Sequence, residues 1–287
     1  WRNIMKVLCV GQMGWDITTI GKNKYKNFGG SVLHFSLAAA LMGVKVDMLC
    51  YVNKSEWNEL LIKLDMIGIG TENIVDFYDT IKFHMYYDEN MVFREDKFSM
   101  DINRKEPLIF DAIPKNIFYD MYNICETTPE QDLKTLRKIL DYNPEAKISM
   151  QFHIDNLLRN KELYSSMLGE IDYIFMNFDE ALFISGKEEI DDAIGYLQQK
   201  IKNVLFITSH HINYAVNSKE IITMNTMPIN DVVDPTGAGD CFAGGAVAGL
   251  CINNRLEDAL RFGAICSYFK LKGYSSNYLL DMLKVSR

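Results

Sequence analysis

From about residue 107 onward, short apolar runs alternate with longer runs of helical spacing. Runs suited to buried strands fall at 117–122, 148–152, 173–176 and 204–208, and helical runs at 130–140, 156–168, 179–185 and 189–200. A strand that rejoins its neighbour in parallel needs a crossover of about a dozen residues, usually a helix. The alternation therefore predicts an α/β chain with a mainly parallel central sheet, and such a sheet is stable only when helices cover both faces. The first third keeps the same rhythm. A strand at 4–10 ends at Gly11, and a buried helix follows Gly29-Gly30 and stops at Gly43. A strand at 44–52 comes next, then a helix expected to start from a Ser55 cap and to end at Gly68. Residues 213–216 and 221–225 suit a hairpin, and two helices at 238–251 and 256–269 close the pattern.

Two stretches break the rhythm. Residues 13–28 and 74–100 are β-like without crossover helices, with a turn expected at Asp88-Glu89-Asn90 before Met91-Val92-Phe93. Inserts of this kind are expected to fold together as a small β lid beside one main domain spanning 1–287. Aromatic residues in this lid (Phe77, Tyr78, Phe83, Tyr86, Phe93) suit closure over a ligand, and its exposed edges invite a homodimer. At 287 residues, 48% hydrophobic and 24% charged, the chain can bury a core without disulfides or metals. Its six cysteines lie scattered among apolar neighbours with no C-x-x-C, which reads as reduced thiols and a cytoplasmic protein. The first residues lead straight into the strand, so no leader is expected. A net charge of −8 argues against a nucleic-acid partner. The mostly apolar stretch 241–252 is too short to cross the roughly 30 Å of a bilayer core, so no membrane span is expected.

The sharpest motif is Asp234-Pro235-Thr236-Gly237-Ala238-Gly239-Asp240, followed at once by a helix of small residues. Its glycines allow a tight turn and close approach of a ligand to the backbone. Amides in the first turn of a helix have no partners within the helix, and the helix dipole adds positive potential there. The combination makes an anion site suited to phosphate. Asp240 in that first turn is either a structural cap or a base aimed at whatever the anion site holds.

The motif resembles the signature of the ribokinase/PfkB family of carbohydrate and nucleoside kinases, usually D-T-x-G-A-G-D, with Pro235 here in second place. The resemblance implies a three-layer α/β/α sandwich and an enzyme using ATP and Mg²⁺ to phosphorylate a hydroxyl, chiefly a primary one, of a sugar or nucleoside. Asp240 would deprotonate the hydroxyl, while Gly237, Ala238 and Gly239 would cradle the γ-phosphoryl group, since this chemistry needs mainly positioning and charge stabilisation. Gly29 and Gly30 match the family's N-terminal glycine pair beside the substrate. Asp16 matches an early aspartate that grips substrate hydroxyls. Asn177 and Glu180 match N-x-x-E, with Glu180 organising Mg²⁺ through water and Asn177 near the phosphates. Thr208, His210 and Thr236 would line the nucleotide, and the stretch 261–274 is similar to the family's helix and loop flanking adenine.

The chain also departs from the family. Ser209, His210 and His211 follow Thr208 where glycines are usual, giving the nucleotide bulkier walls. His34 stands where many sugar kinases carry Asn, which favours a nucleoside or a decorated sugar. Two readings therefore stand at this stage, an active kinase and a catalytically silent member that binds a metabolite for regulation. Rival nucleotide folds fit less well. Gly11-Gln12-Met13-Gly14 has the wrong spacing for a dinucleotide fingerprint, Phe242 occupies a place that fingerprint needs small, and no G-x-x-x-x-G-K-[S/T] exists. His210-His211 lacks the spacing of a metal pair, because neighbours on a strand point to opposite faces.

Overall fold

The expected alternation becomes one eight-stranded sheet in a computed structural model that describes residues 5–88, 91, 94, 97–101, 109–115 and 117–285. In chain order the strands are β1 (Lys6–Val10), β2 (Gly14–Ile20), β3 (Asn23–Gly29), β4 (Lys45–Leu49), β5 (Tyr51–Val52), β6 (Val75–Asp76) and β7 (Lys82–Tyr87). They continue as β8 (Ser99–Asp101), β9 (Met121–Ile124), β10 (Lys147–Gln151), β11 (Tyr173–Asn177), β12 (Val204–Thr208), β13 (Ile212–Val216) and β14 (Ile221–Asn225). The large sheet runs β4-β1-β9-β10-β11-β12-β13-β14. Its first six strands are parallel, and the β13–β14 hairpin finishes the edge antiparallel.

Alternate residues of each strand feed two separate cores. Val7, Cys9 and Phe206 belong to one, and Leu8, Val10, Leu205 and Ile207 to the other. The first core is closed by helices α1 (Ser31–Leu41) and α2 (Lys54–Met66). The second is closed by α3 (Pro129–Tyr142), α4 (Ile154–Met167), α5 (Phe178–Ser185) and α6 (Ile190–Gln198). Three C-terminal helices, α7 (Ala238–Asn253), α8 (Leu256–Leu271) and α9 (Asn277–Val285), return to the first core. The result is three layers, as the alternation requires.

The two irregular stretches do pair with one another. A second sheet runs β3-β2-β7-β8, with β2 and β7 parallel and the other pairs antiparallel. The strand expected across 44–52 divides into β4 and β5, and β5 joins β6 in a separate two-stranded ribbon. Helix α2 is capped by Asn53 and not by Ser55: the Asn53 side chain accepts the Glu56 amide at 3.3 Å, and the Ser55 hydroxyl itself donates to Asn53 at 2.6 Å. Helix α9 was not expected; its amphipathic turn tucks Leu279, Leu280 and Leu283 under the first core. Residues 89, 90, 92 and 93, where a turn and a short strand were expected, lie outside the described residues.

Helix α7 owes its position to its small residues. A Cβ on Gly244 would lie 2.3 Å from the Phe35 carbonyl oxygen of α1, and one on Gly245 would lie 2.4 Å from the Phe262 carbonyl oxygen of α8. Backbone therefore packs on backbone, and the helix that begins at the 234–240 motif is held between two others. Gly244→Ala is expected to destabilise the fold by about 1–3 kcal/mol through overpacking, read as a lower urea midpoint with an unchanged slope. An unchanged midpoint would show that α1 and α7 are not in this contact.

Candidate active site

The chain order of the large sheet reverses at β1, with β4 on one side and β9 on the other. Crevices beyond the carboxyl ends of strands at such a reversal are the usual ligand sites of open α/β sheets. A cavity of about 130 Å³ lies there, lined by Gln12 beyond β1, Glu126 and Thr127 beyond β9, and His153 beyond β10. Of the residues singled out from the sequence, Asp16, Gly30, His34, Phe83, Thr236 and Asp240 meet in this cavity. Gly29, Gly237, Ala238, Gly239, Asn177, Glu180, Thr208 and His210 are outside its lining.

Asp240 occupies the first turn of α7, is 7% exposed and faces the cavity. Burial raises its carboxyl above the usual range, while nearby His153 and His34 and a hydrogen bond with Ser31 pull it back. Gln151 Nε2 approaches Asp240 Oδ1 at 3.5 Å. The turn entering the helix depends on Gly237, whose φ of 75° is left-handed and whose Cβ would fall 2.3 Å from the His34 ring. The Ala238 amide donates to the Pro235 carbonyl at 3.1 Å, closing that turn.

Asp16, on β2, is 1% exposed. Its Oδ1 accepts the Gly30 amide at 3.2 Å, and its Oδ2 lies 2.9 Å from His34 Nε2. A carboxylate accepts only, so Nε2 carries the proton and Nδ1 faces the Ser276 hydroxyl at 2.9 Å. The Ser275 hydroxyl, with one hydrogen to give, sits 2.9 Å from Asp16 Oδ2 and 2.6 Å from the Phe28 carbonyl. His34 is therefore bound on both ring nitrogens. Gly29 serves this arrangement by leaving room: a Cβ on it would lie 1.9 Å from the Asp16 carboxyl.

Asn177 caps α5 by accepting the Glu180 amide at 2.9 Å, and Glu180 returns the contact by accepting the Asn177 amide at 2.6 Å. The other Glu180 oxygen accepts the Ile154 amide at 3.2 Å. Both Glu180 oxygens thus accept backbone amides, which leaves a cation to be met only through water. Among the described residues no cluster of three or more acidic, histidine or cysteine side chains forms a close cage for a metal. A hydrated Mg²⁺, which keeps several waters, fits this donor set. Asn177 and Thr208 are register partners at the ends of β11 and β12. After Thr208 the missing glycines are replaced by a turn built on Ser209, whose Oγ accepts the amides of His211 at 3.2 Å and Ile212 at 3.0 Å. His210 and His211 lie exposed in that turn and not on a strand, as the metal argument had placed them.

Several residues in or behind the cavity wall escaped the sequence reading. Glu126 is pushed well above the ordinary carboxylate range by burial, and next by Asp132, Asp155 and Asp240, with Arg159 opposing. Arg159 and Glu126 both line the cavity. The available signal for Glu126 was a charge directly after a buried strand. Ser275 and Ser276 had none, since a serine pair in a loop is unremarkable. The upper wall is apolar: Phe83, one of the lid aromatics named from the sequence, shares one face of β7 with Met85, which was not, and its register partner is Met100 of β8.

The family model described as pfkB family carbohydrate kinase matches residues 16–281. The chain belongs to this family. Its members transfer a phosphoryl group to an alcohol. Over 248 residues the chain is 28% identical to a cytidine kinase of Thermococcus kodakarensis, covering 82% of this chain and 84% of that protein. The fold matches the crystal structure of adenosine kinase from Sinorhizobium meliloti with a TM-score of 0.80 at 15% identity, over 99% of this chain and 100% of that one. It matches a ribokinase II from E. coli in complex with ATP and Mg²⁺ with a TM-score of 0.79 at 17% identity, over 99% and 100% of the two chains. The three layers are thus a ribokinase-like sandwich. No helix among the described residues is long and apolar enough to cross a membrane.

Burial pushes the Glu180 carboxyl up to about 7 from 4.5. The folded protein then keeps a proton that the unfolded chain releases. The associated stability is complete below pH 4.5 and is lost as pH rises through 7, by about 3 kcal/mol in all. Urea unfolding at pH 5 and pH 8 should show wild type losing about 2–3 kcal/mol more stability than Glu180→Gln over the interval. Equal losses would place Glu180 in contact with water.

Proposed function

We propose that this family member is an ATP- and Mg²⁺-dependent nucleoside kinase, phosphorylating a sugar hydroxyl of the nucleoside, chiefly a primary one. The observation that carries this reading is the two-sided cavity. Asp16, Gly30 and Asp240 form a polar floor suited to hydroxyls, and Phe83, Met85 and Met100 form an apolar wall suited to a base. A free sugar has nothing to set against three large apolar side chains. The likeness to a cytidine kinase over most of both chains supports the same choice.

In this reading the acceptor hydroxyl lies against Asp240, and Asp16 shares one oxygen with a second hydroxyl of the sugar. As the acceptor oxygen bonds to the γ-phosphorus, the bond from that phosphorus to the bridging oxygen of the β-phosphate breaks, ADP leaves with that electron pair, and Asp240 takes the hydroxyl proton. Its position in a mostly dry first turn, beside the helix dipole, keeps the base and the transferred group a short distance apart. The amides of Gly237 and Gly239 would face the γ-phosphoryl oxygens, the Ala238 amide being taken by the Pro235 carbonyl, and Thr236 stands at the edge of that cradle. Glu180, through water, and Asn177 would hold Mg²⁺, which would supply neutralisation of phosphate charge. ATP would extend along the ends of β11 and β12, past Thr208 and His210. The second sheet acts as a lid that keeps water from the donor phosphate. The location proposed is cytoplasmic, with thiols reduced. The partners are small molecules, and a homodimer through the lid would use the side of the sheet away from β3.

ADP release over a panel of nucleosides and free sugars tests the proposal, with at least one nucleoside expected to exceed every free sugar in kcat/KM by tenfold or more. A free sugar as best substrate would refute the nucleoside assignment. No turnover with binding retained would favour the silent alternative. Asp240→Asn should lower kcat by about 10²–10⁴-fold while KM moves only a few-fold. Near-normal turnover of that variant would remove Asp240 from the role of base. Phe83→Ala is expected to raise KM for the nucleoside by roughly tenfold, the order of one large apolar contact, and to leave any residual activity on a free sugar unchanged.

A further inference from the structure

Lys270 is the only lysine with no exposure among the described residues, and the chemistry above does not use it. It lies on the inner stripe of α8 with Ala259, Gly263 and Cys266. Its Nζ donates to the Asp234 carbonyl at 2.9 Å and to the Gly273 carbonyl at 3.3 Å, and stands 3.6 Å from Asp234 Oδ2. The carboxylate of Asp234, also unexposed, accepts the Thr236 amide on Oδ1 at 3.0 Å and the Ser275 amide on Oδ2 at 2.7 Å. Two loops therefore converge on one ammonium group. One is the entry to the anion cradle at residues 234–237. The other is the 273–276 loop, whose serines hold Asp16 and His34.

We infer that Lys270 is a positioning residue: its ammonium group is a built-in cation that fixes the 234–237 loop against the 273–276 loop, and so sets the anion cradle and the acceptor floor in one frame. The inference rests on the reading of residues 237–239 as that cradle. Two carbonyls and a carboxylate converging on a point would hold a small cation through oxygen alone. Here the ammonium occupies that point, tethered by its own side chain. Activity should then need no dissolved monovalent cation. A Lys270→Ala protein should acquire such a need, because the truncation leaves a buried carboxylate without its partner in a space open to a small cation.

The test begins with the wild-type enzyme, whose kcat should change less than twofold when K⁺ is replaced by Na⁺ or by tetramethylammonium. Activation of wild type by K⁺ of fivefold or more would overturn the inference. Lys270→Met, which keeps most of the volume and removes the charge, is expected to lose at least tenfold in kcat with a smaller change in KM. Lys270→Ala should regain part of that loss with ethylammonium, ammonium or K⁺, and not with tetramethylammonium, and its Tm should rise with the same cations while that of wild type does not. A folded Lys270→Met enzyme with normal kcat, or a Lys270→Ala protein whose Tm ignores every cation, would overturn the proposal. The Tm arm needs no turnover, so it still reads this cation point if the nucleoside assignment fails. Should neither variant fold, the cation series on wild type decides alone.

Discussion

Two of the buried carboxylates, Asp16 and Asp234, stand at the centre of the site, and much of the site is arranged to keep them out of water. An unpaired buried carboxylate is costly enough that a fold either neutralises it or surrounds it with donors. Asp234 receives two amides and an ammonium, and Asp16 receives an amide, an imidazole and a share of a hydroxyl. The same loop, residues 273–276, serves both. Ser275 accepts a left-handed backbone, φ 45°, to place its amide on one carboxylate and its hydroxyl by the other. Strain of this kind persists only where surrounding contacts over-determine it.

The electrostatics of the cavity and of the α5 start beside it follow from the same economy of donors. Glu126, Glu180 and Asp240 all sit above the ordinary carboxylate range, with burial as the largest cause in each. Opposing them are Arg159 at the rim, His153 and His34. Such a wall is short of positive charge, which agrees with the proposed binding of hydrated Mg²⁺. Helix α7 supplies the fixed part of the field. Its small residues let it lie backbone to backbone between α1 and α8, so the dipole at its start cannot swing away from the cleft.

The layer architecture could be read from the sequence because strand and helix periods differ, and the crossovers are long enough to show both. The 234–240 motif was equally legible, since its glycines and acid have local reasons to stand where they do. What stayed hidden were the pairings made at long range. Lys270 looked like any lysine near the end of a helix, although its spacing from Gly263 and Cys266 placed it on the buried stripe. The partners of His34 were also hidden: its ring is held between Asp16 and Ser276, and its face against Gly237 dictates that no side chain stand there. The Ser55 cap failed for a simpler reason, that two adjacent polar side chains competed for one helix start and Asn53 reached the amide. Helix α9 lacked any strong stop or start signal before it, and only its docking on the first core defines it.

The hydroxyl of Tyr87, at the end of β7, lies 3.1 Å from that of Thr236. This joins the second sheet directly to the turn ahead of α7, with no intervening element. Outward travel of β7 must sever that link, so the sheet cannot part from the cleft without releasing a residue beside the cradle. Admission at one mouth of the enzyme is thereby geared to order at the other, in part through this pair of oxygen atoms.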